Sequence, residues 1–201
     1  MIRQPSGLFA KGDGPFKTWA DVIAADKAKP GSISVAITGA NSPDEATVNY
    51  LVGKGIKLVS VPYARPGERF TAVLGGHVEL LYEQAGDIKG HLDSKAMRPL
   101  IFFASQRLAA PFADVPVSAE LGYDILLPQM RAIVARAGVD PRRLETLSAS
   151  IGRFAASPEF AVYLRDQYAQ PDSYIPMKDA QRFLEGEISA FQKLMRGAAA
   201  K

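Results

Sequence analysis

The chain has 201 residues, 47% of them apolar and 22% charged, with a formal charge of +3 and no cysteine. Such a chain builds one sizeable core or two modest ones. It has no disulfides, thiol chemistry or cysteine metal sites, and its positive excess is too small and scattered for nucleic acid. No run approaches the roughly 18 apolar residues of a membrane span. With His77 and His91 the only histidines, no histidine metal centre and no cofactor are expected.

The opening MIRQPSGLFAKGDGPF holds no long apolar stretch and no small-residue cleavage site. It therefore does not read as a secretory signal, and expression as written is expected to leave the chain in the cytoplasm. It reads as the end of a strand and a turn, as though the chain starts mid-domain.

Thr18 followed by Asp21 has the form of a capping box, opening a helix that turns Trp19, Val22 and Ile23 inward. Pro30 and Gly31 stop it. Residues 32–37 carry branched apolar side chains at alternate positions and predict a strand. Thr38-Gly39-Ala40-Asn41-Ser42-Pro43 is a turn, with Ser42 as helix cap and Pro43 at the first helical position, where its missing N–H costs nothing. A helix over 44–54 ends at Gly55. Further along come a strand over 56–61, a helix over 66–74 stopped by Gly75-Gly76, a strand over 78–82, a short helix over 84–92 and a strand over 98–104. Pro99 marks that last strand as an edge strand or places it at a strand start. The alternation predicts a parallel α/β sheet with helices on its faces.

The character then changes. Residues 106–128 are rich in Pro and Ala, with one short helix near 117–121, and 131–135 read as another strand. Three helices follow over 141–154, 158–168 and 178–195. The first two are capped by Asp140-Pro141 and Ser157-Pro158. Leu144, Leu147, Ile151 and Phe154 fall at core spacing. The terminal GAAAK is expected to fray. These helices have little sheet of their own, so they need another surface to cover.

The order of motifs resembles one family. It comprises Gly39 to Ser42 opening a helix, Val61-Pro62-Tyr63, and Leu74-Gly75-Gly76-His77-Val78-Glu79. Arg98, Arg107, Val115-Pro116-Val117, Glu120-Leu121-Gly122-Tyr123-Asp124 and Leu127-Pro128-Gln129-Met130-Arg131 follow. This is similar to the substrate-binding proteins of tripartite tricarboxylate transporters, the Bug family, in a tricarboxylate-receptor-like branch. The resemblance covers nearly the whole chain. Each motif alone is weak; shared order and spacing make the match specific.

The chain departs from the family in two places. A signal and an N-terminal lobe-building segment with a Gly-Gly loop have no counterpart, so Met1 aligns with an internal position. Ala64-Arg65-Pro66-Gly67 stands where Lys-Gly-Gly-like residues are usual.

The resemblance implies a periplasmic type II-like binding protein of two α/β lobes that close on a ligand like a hinged trap. One lobe is nearly complete and the other is represented by its C-terminal helices. On this basis 1–17 are a remnant of lobe one and the crossing segment, 18–104 are lobe two, 105–135 cross back, and 136–201 are the helices of lobe one. The implied role is capture, in the periplasm, of a small organic acid for a membrane permease. That acid is a di- or tricarboxylate, an aromatic acid or an amino acid.

Local chemistry places candidate ligand contacts along one sheet edge. Thr38, Gly39, Ala40, Asn41, Ser42 and Asp44 lie between a strand and a helix start, where free N–H groups and the dipole attract a carboxylate. The competing reading is a plain turn capped by Ser42, and the resemblance favours the ligand loop, which it places at the distal end of the ligand. Asp44 and Glu45 suit the dipole but would repel an anion if aimed at it. Tyr63 and Arg65 follow the next strand; Arg65 either pairs with a carboxylate or is a solvated loop arginine. Glu83 either meets an amine or starts a helix. His77 is read as structural or on the surface, His91 with Asp93 as a solvated pair, and Arg98 and Arg107 as local supports. Arg131, Arg136, Arg142 and Arg143 read as a solvated face or a lobe or permease contact.

An enzyme is the rival class, but G-x-S-x-G, Walker and G-x-G-x-x-G patterns are absent. A non-binding remnant that self-associates as a homodimer is the other alternative, because uncovered helices and strand edges invite a second copy.

Overall fold

The structure, a computed structural model, describes residues 2–199, and the side chains of 2–196. Its elements in chain order are β1 (Ile2–Gln4), β2 (Ser6–Lys11), α1 (Trp19–Ala28), β3 (Ile33–Ile37), α2 (Pro43–Gly53), β4 (Leu58–Pro62), α3 (Pro66–Leu74), β5 (Leu80–Gln84), α4 (Lys89–Asp93) and β6 (Met97–Phe102). A 3-10 turn at Ala119–Leu121, β7 (Gln129–Arg131), α5 (Pro141–Ala155), α6 (Pro158–Asp166) and α7 (Met177–Ala199) complete the chain. What remains of the terminal GAAAK beyond α7 lies outside the described residues.

The helix starts follow their caps. The Thr18 hydroxyl accepts from the Asp21 amide, and the Asp21 carboxylate accepts from the Lys17 and Thr18 amides at 2.8 Å. Those amide bonds hold the Asp21 carboxyl below its ordinary value. Ser42 and Ser157 each accept from the backbone three residues on, and Asp140 from the Arg142 amide.

Five strands form one sheet in the order β4-β3-β5-β2-β6. β3 runs parallel to β4 and β5, as expected, while β2 is antiparallel to both β5 and β6. The sheet is therefore mixed. Residues 6–11, expected in the crossing segment, supply a strand inside the sheet: Leu8, Phe9 and Ala10 are at most 1% exposed because both sheet faces are covered. Edge strand β6 carries Pro99, which fits the rule that proline avoids central strands.

On one face Leu8, Val35, Ile37, Leu80 and Tyr82 pack with Trp19 and Val22 of α1 and Val48 and Leu51 of α2. On the other, Phe9, Ala36, Leu81 and Phe102 pack with Ala72 and Val73 of α3, Ile88, Phe112 and Val117. This is a three-layer α/β unit.

β1 pairs with β7 in a separate antiparallel ribbon, so the chain leaves and re-enters the sheet unit through two adjacent strands. Beyond it, Ile2, Phe160 and Leu164 form a small satellite core with Ala155, Ala169 and Tyr174. α7 returns to the sheet unit and packs on α2, with Phe191 and Leu194 against the first core. Part of the apolar stripe of α7 thus finds cover on the sheet unit, while Ile188 stays exposed.

Two expectations fail for a shared reason. Residues 132–137 form no strand, and Ile133 and Val134 are 67% and 85% exposed. α5 buries no residue; Leu147 and Phe154 are exposed, and Leu144 and Ile151 are half-buried. The apolar periodicity is real, but it is only partly covered: the Phe154 ring lies 5.2 Å from that of Phe160, yet Leu147 and Phe154 stay exposed. Ile133, Val134, Leu144, Leu147, Ile151 and Met177 instead line an apolar groove of about 270 Å³. Among the described helices, none is long and apolar enough to cross a membrane.

Candidate functional site

Because β4, β3 and β5 run parallel, the loops after them emerge on one edge of the sheet. That edge is where ligands of open α/β sheets bind. The expected positions 38–44, Tyr63, Arg65 and Glu83 all lie along it. The Tyr63 amide donates to the Ile37 carbonyl at 2.9 Å, joining the second loop to the first.

The 38–44 loop is held by its own acids. The Thr38 amide and hydroxyl donate to Asp44 Oδ2 at 2.8 and 2.9 Å. The Asn41 amide donates to Glu45 Oε2 at 2.6 Å, and the Ser42 hydroxyl donates to the Gly39 carbonyl at 2.7 Å. Asn41 sits at φ 56, a left-handed conformation that Asn tolerates better than most residues. Asp44 points inward and is buried, while Thr38, Ala40 and Asn41 are exposed and Gly39 and Ser42 half-exposed. A Cβ built on Gly39 would meet nothing within 4 Å, so the loop faces open space. Among the described residues, the amides of Gly39, Ala40 and Ser42 have no protein partner. Three donors therefore remain at the start of α2.

Tyr63 is half-buried against the second core. The Arg65 side chain is 83% exposed, its Nε 4.0 Å from Glu68 Oε1, a weak surface contact that leaves the guanidinium available.

Glu83 behaves differently. It is 5% exposed, with Oε2 2.9 Å from Arg69 Nη2 and Oε1 accepting from the Gln84 amide. Burial pushes its carboxyl up to about 7; Arg69 and the Gln84 amide oppose that rise, and Asp87 and Asp44 add to it. Arg69, on α3, is 4% exposed; its Nη1 also donates to the Tyr82 carbonyl and lies 3.8 Å from Asp44 Oδ2.

Arg69 was not singled out from the sequence. The signal for it is indirect: two acids that a parallel sheet brings to one edge, Asp44 and Glu83, need a buried cation. The helix between β4 and β5 is the element placed to supply it.

The remaining candidates are supports. Arg98 donates twice to the Gly12 carbonyl, and Arg107 pairs with Glu120 and the Ala113 carbonyl. His77 is exposed beyond α3. His91 packs on Phe70, and Asp93 pairs with Lys89 rather than with His91. Arg131 pairs with Asp87 at 2.7 Å, tying the β1–β7 ribbon to the end of β5 rather than leaving a purely solvated face. Among the described residues there is no cluster suited to hold a metal.

The model of the tripartite tricarboxylate transporter family receptor matches residues 1–198. The chain belongs to that family. A UPF0065 protein encoded in the gbd 5' region of Cupriavidus necator is 28% identical over 155 residues, 77% of this chain and 47% of its own length. The chain spans about half the length of the curated relatives it matches.

Among solved structures, a Rhodopseudomonas palustris protein determined with adipate superposes with a TM-score of 0.88 at 22% identity. The match covers 99% of this chain and 67% of that one. MatC of the same species, with bound malate, gives a TM-score of 0.74 at 21% identity, covering 96% and 67%. At these identities the likeness shows the fold: an α/β binding-protein lobe nearly complete, with part of a second.

Proposed function

We propose that this chain is the ligand-gripping part of a solute receptor that captures a small carboxylate and presents it to the permease subunits of a tripartite transporter. The observation that carries the reading is the loop over 38–44. It projects from the ligand edge of a receptor-family lobe and keeps free amides at a helix start.

Thr38, Gly39, Ala40, Asn41, Ser42, Tyr63 and Arg65 form the contact surface; Asp44 and Glu83 lie behind it and shape it. The adipate and malate of the two solved structures suggest a di- or tricarboxylate before an aromatic or amino acid. The β1–β7 ribbon serves as the hinge between lobes, and the working compartment is the periplasm. The role is capture without turnover, and it needs no cofactor. Residues 18–104 form the core of lobe two, completed by β2 and by the end of α7.

A thermal-shift screen with mono-, di- and tricarboxylates tests this reading. A concentration-dependent rise with one or two acids supports it, since binding at a hundred times Kd stabilises by about 2.7 kcal/mol. A folded sample that shifts with none of them refutes it. Arg65→Ala should weaken capture several-fold with little change in melting temperature, measured by calorimetric titration, because its side chain is exposed and has one weak neighbour. Unchanged affinity makes Arg65 a bystander.

A second reading is favoured by one observation, the exposed Ile133, Val134, Leu147 and Phe154. Here two copies bury this face against each other and ligand capture is lost. A sharp dimer in light scattering that binds no acid selects this reading; a monomer that binds one removes it.

A further inference from the structure

We infer that Arg69 is the positioning residue of the ligand-facing loop: it acts through Asp44 to fix the backbone that meets the ligand. This rests on the reading of 38–44 as that loop.

Three elements meet at Arg69. It rises from α3, reaches Glu83 at the end of β5 at 2.9 Å and the Tyr82 carbonyl at 3.2 Å, and lies 3.8 Å from Asp44 in the first turn of α2. Asp44 spends Oδ2 on Thr38, accepting from both its amide and its hydroxyl. A carboxylate this buried stays in place only if a cation balances it. Among the described ion pairs, Arg69 is that cation for Asp44.

The charges facing Arg69 are Glu83 and Asp44, with Asp87 beyond Glu83. Two acids thus face one guanidinium, and Arg69 offsets the repulsion between them. Without it, Asp44 is free to turn to water, Thr38 loses both bonds, and the neighbouring Gly39, Ala40 and Ser42 amides lose their fixed aim. Preorganised donors bind better than mobile ones because their ordering cost is already met.

An arginine serving only to hold the core would not act selectively on this loop. The test therefore compares amide exchange at Thr38 and Asn41 with exchange at Val35 and Ala36 in β3, by NMR, without ligand. The variants are Arg69→Lys and Arg69→Gln/Glu83→Gln, the latter removing the surplus acid so that the fold tolerates the loss.

Exchange at Thr38 is expected to rise tenfold or more over β3 in the double variant and less in Arg69→Lys, with affinity for the best acid falling in the same order. Thr38 protection equal to the parent's in either folded variant overturns the proposal; if the double variant does not fold, Arg69→Lys decides. A parent chain that binds no acid refutes the receptor reading, while the exchange data still decide whether Arg69 sets the loop.

Discussion

Gly86→Ala is expected to lower stability by about 3 kcal/mol, a fall in melting temperature on the order of 10 °C. Gly86 lies just past β5, where a Cβ would stand 2.3 Å from the Gln167 carbonyl and 2.3 Å from Gln4 Nε2. Those two atoms are themselves bonded at 2.8 Å, so the methyl group would split the contact that ties the end of α6 to β1. Gln4 is 1% exposed and its Oε1 has no hydrogen-bond partner, so losing its one amide bond leaves the whole side chain unsatisfied. Gly90→Ala is the control. That glycine lies in α4 with nothing within 4 Å of a new Cβ, and alanine there should be neutral or slightly stabilising. Thermal denaturation of the two variants checks the pair; equal melting temperatures would mean that the sheet unit and the helical part are not docked through Gln4 and Gln167.

The second large effect is a pH dependence carried by Glu83. Its carboxyl is raised by burial from the ordinary 4.5 to about 7. Between those values the folded chain holds a proton that the unfolded chain has released, so stability falls as pH rises through this window. The stabilisation is complete below pH 4.5 and gone above 7, and the full swing converts to about 3 kcal/mol. Glu187, raised by burial, adds in the same direction, while Asp21 and Glu120, both lowered, act in the more acidic range. Urea unfolding between pH 4.5 and 8 should therefore show a decline for the parent and a much flatter line for Glu83→Gln. Identical slopes would place the titrating group elsewhere.

Much of this fold was legible because its local signals are strong. Ser42-Pro43, Asp140-Pro141 and Ser157-Pro158 announce helix starts through backbone chemistry that needs no tertiary partner. β2 was not legible. Ser6-Gly7-Leu8-Phe9-Ala10-Lys11 is buried on both faces, so it lacks the alternation that marks a half-exposed strand. The apolar pattern of residues 131–135 and of the α5 stripe predicts strand and core. Pattern shows that a face wants cover; it does not show that the chain in hand provides it.

The site divides in the same way. The 38–44 loop follows from a strand end and a helix cap. The inward turn of Asp44 and the burial of Glu83 depend on Arg69, whose role exists only once α3 crosses between β4 and β5. Sequence favours a charged residue on a surface, and only the assembled sheet edge shows two acids converging on one guanidinium.

Capture of a small carboxylate at the edge carrying 38–44 can be read directly at the backbone. The measurement is an NMR titration of the labelled chain with adipate or malate. Saturable shifts are expected at the amides of Gly39, Ala40, Asn41 and Ser42, with smaller ones at Tyr63 and Arg65. A folded chain whose 38–44 amides stay fixed at millimolar acid, or whose shifts fall only on the apolar face of α5, would contradict it.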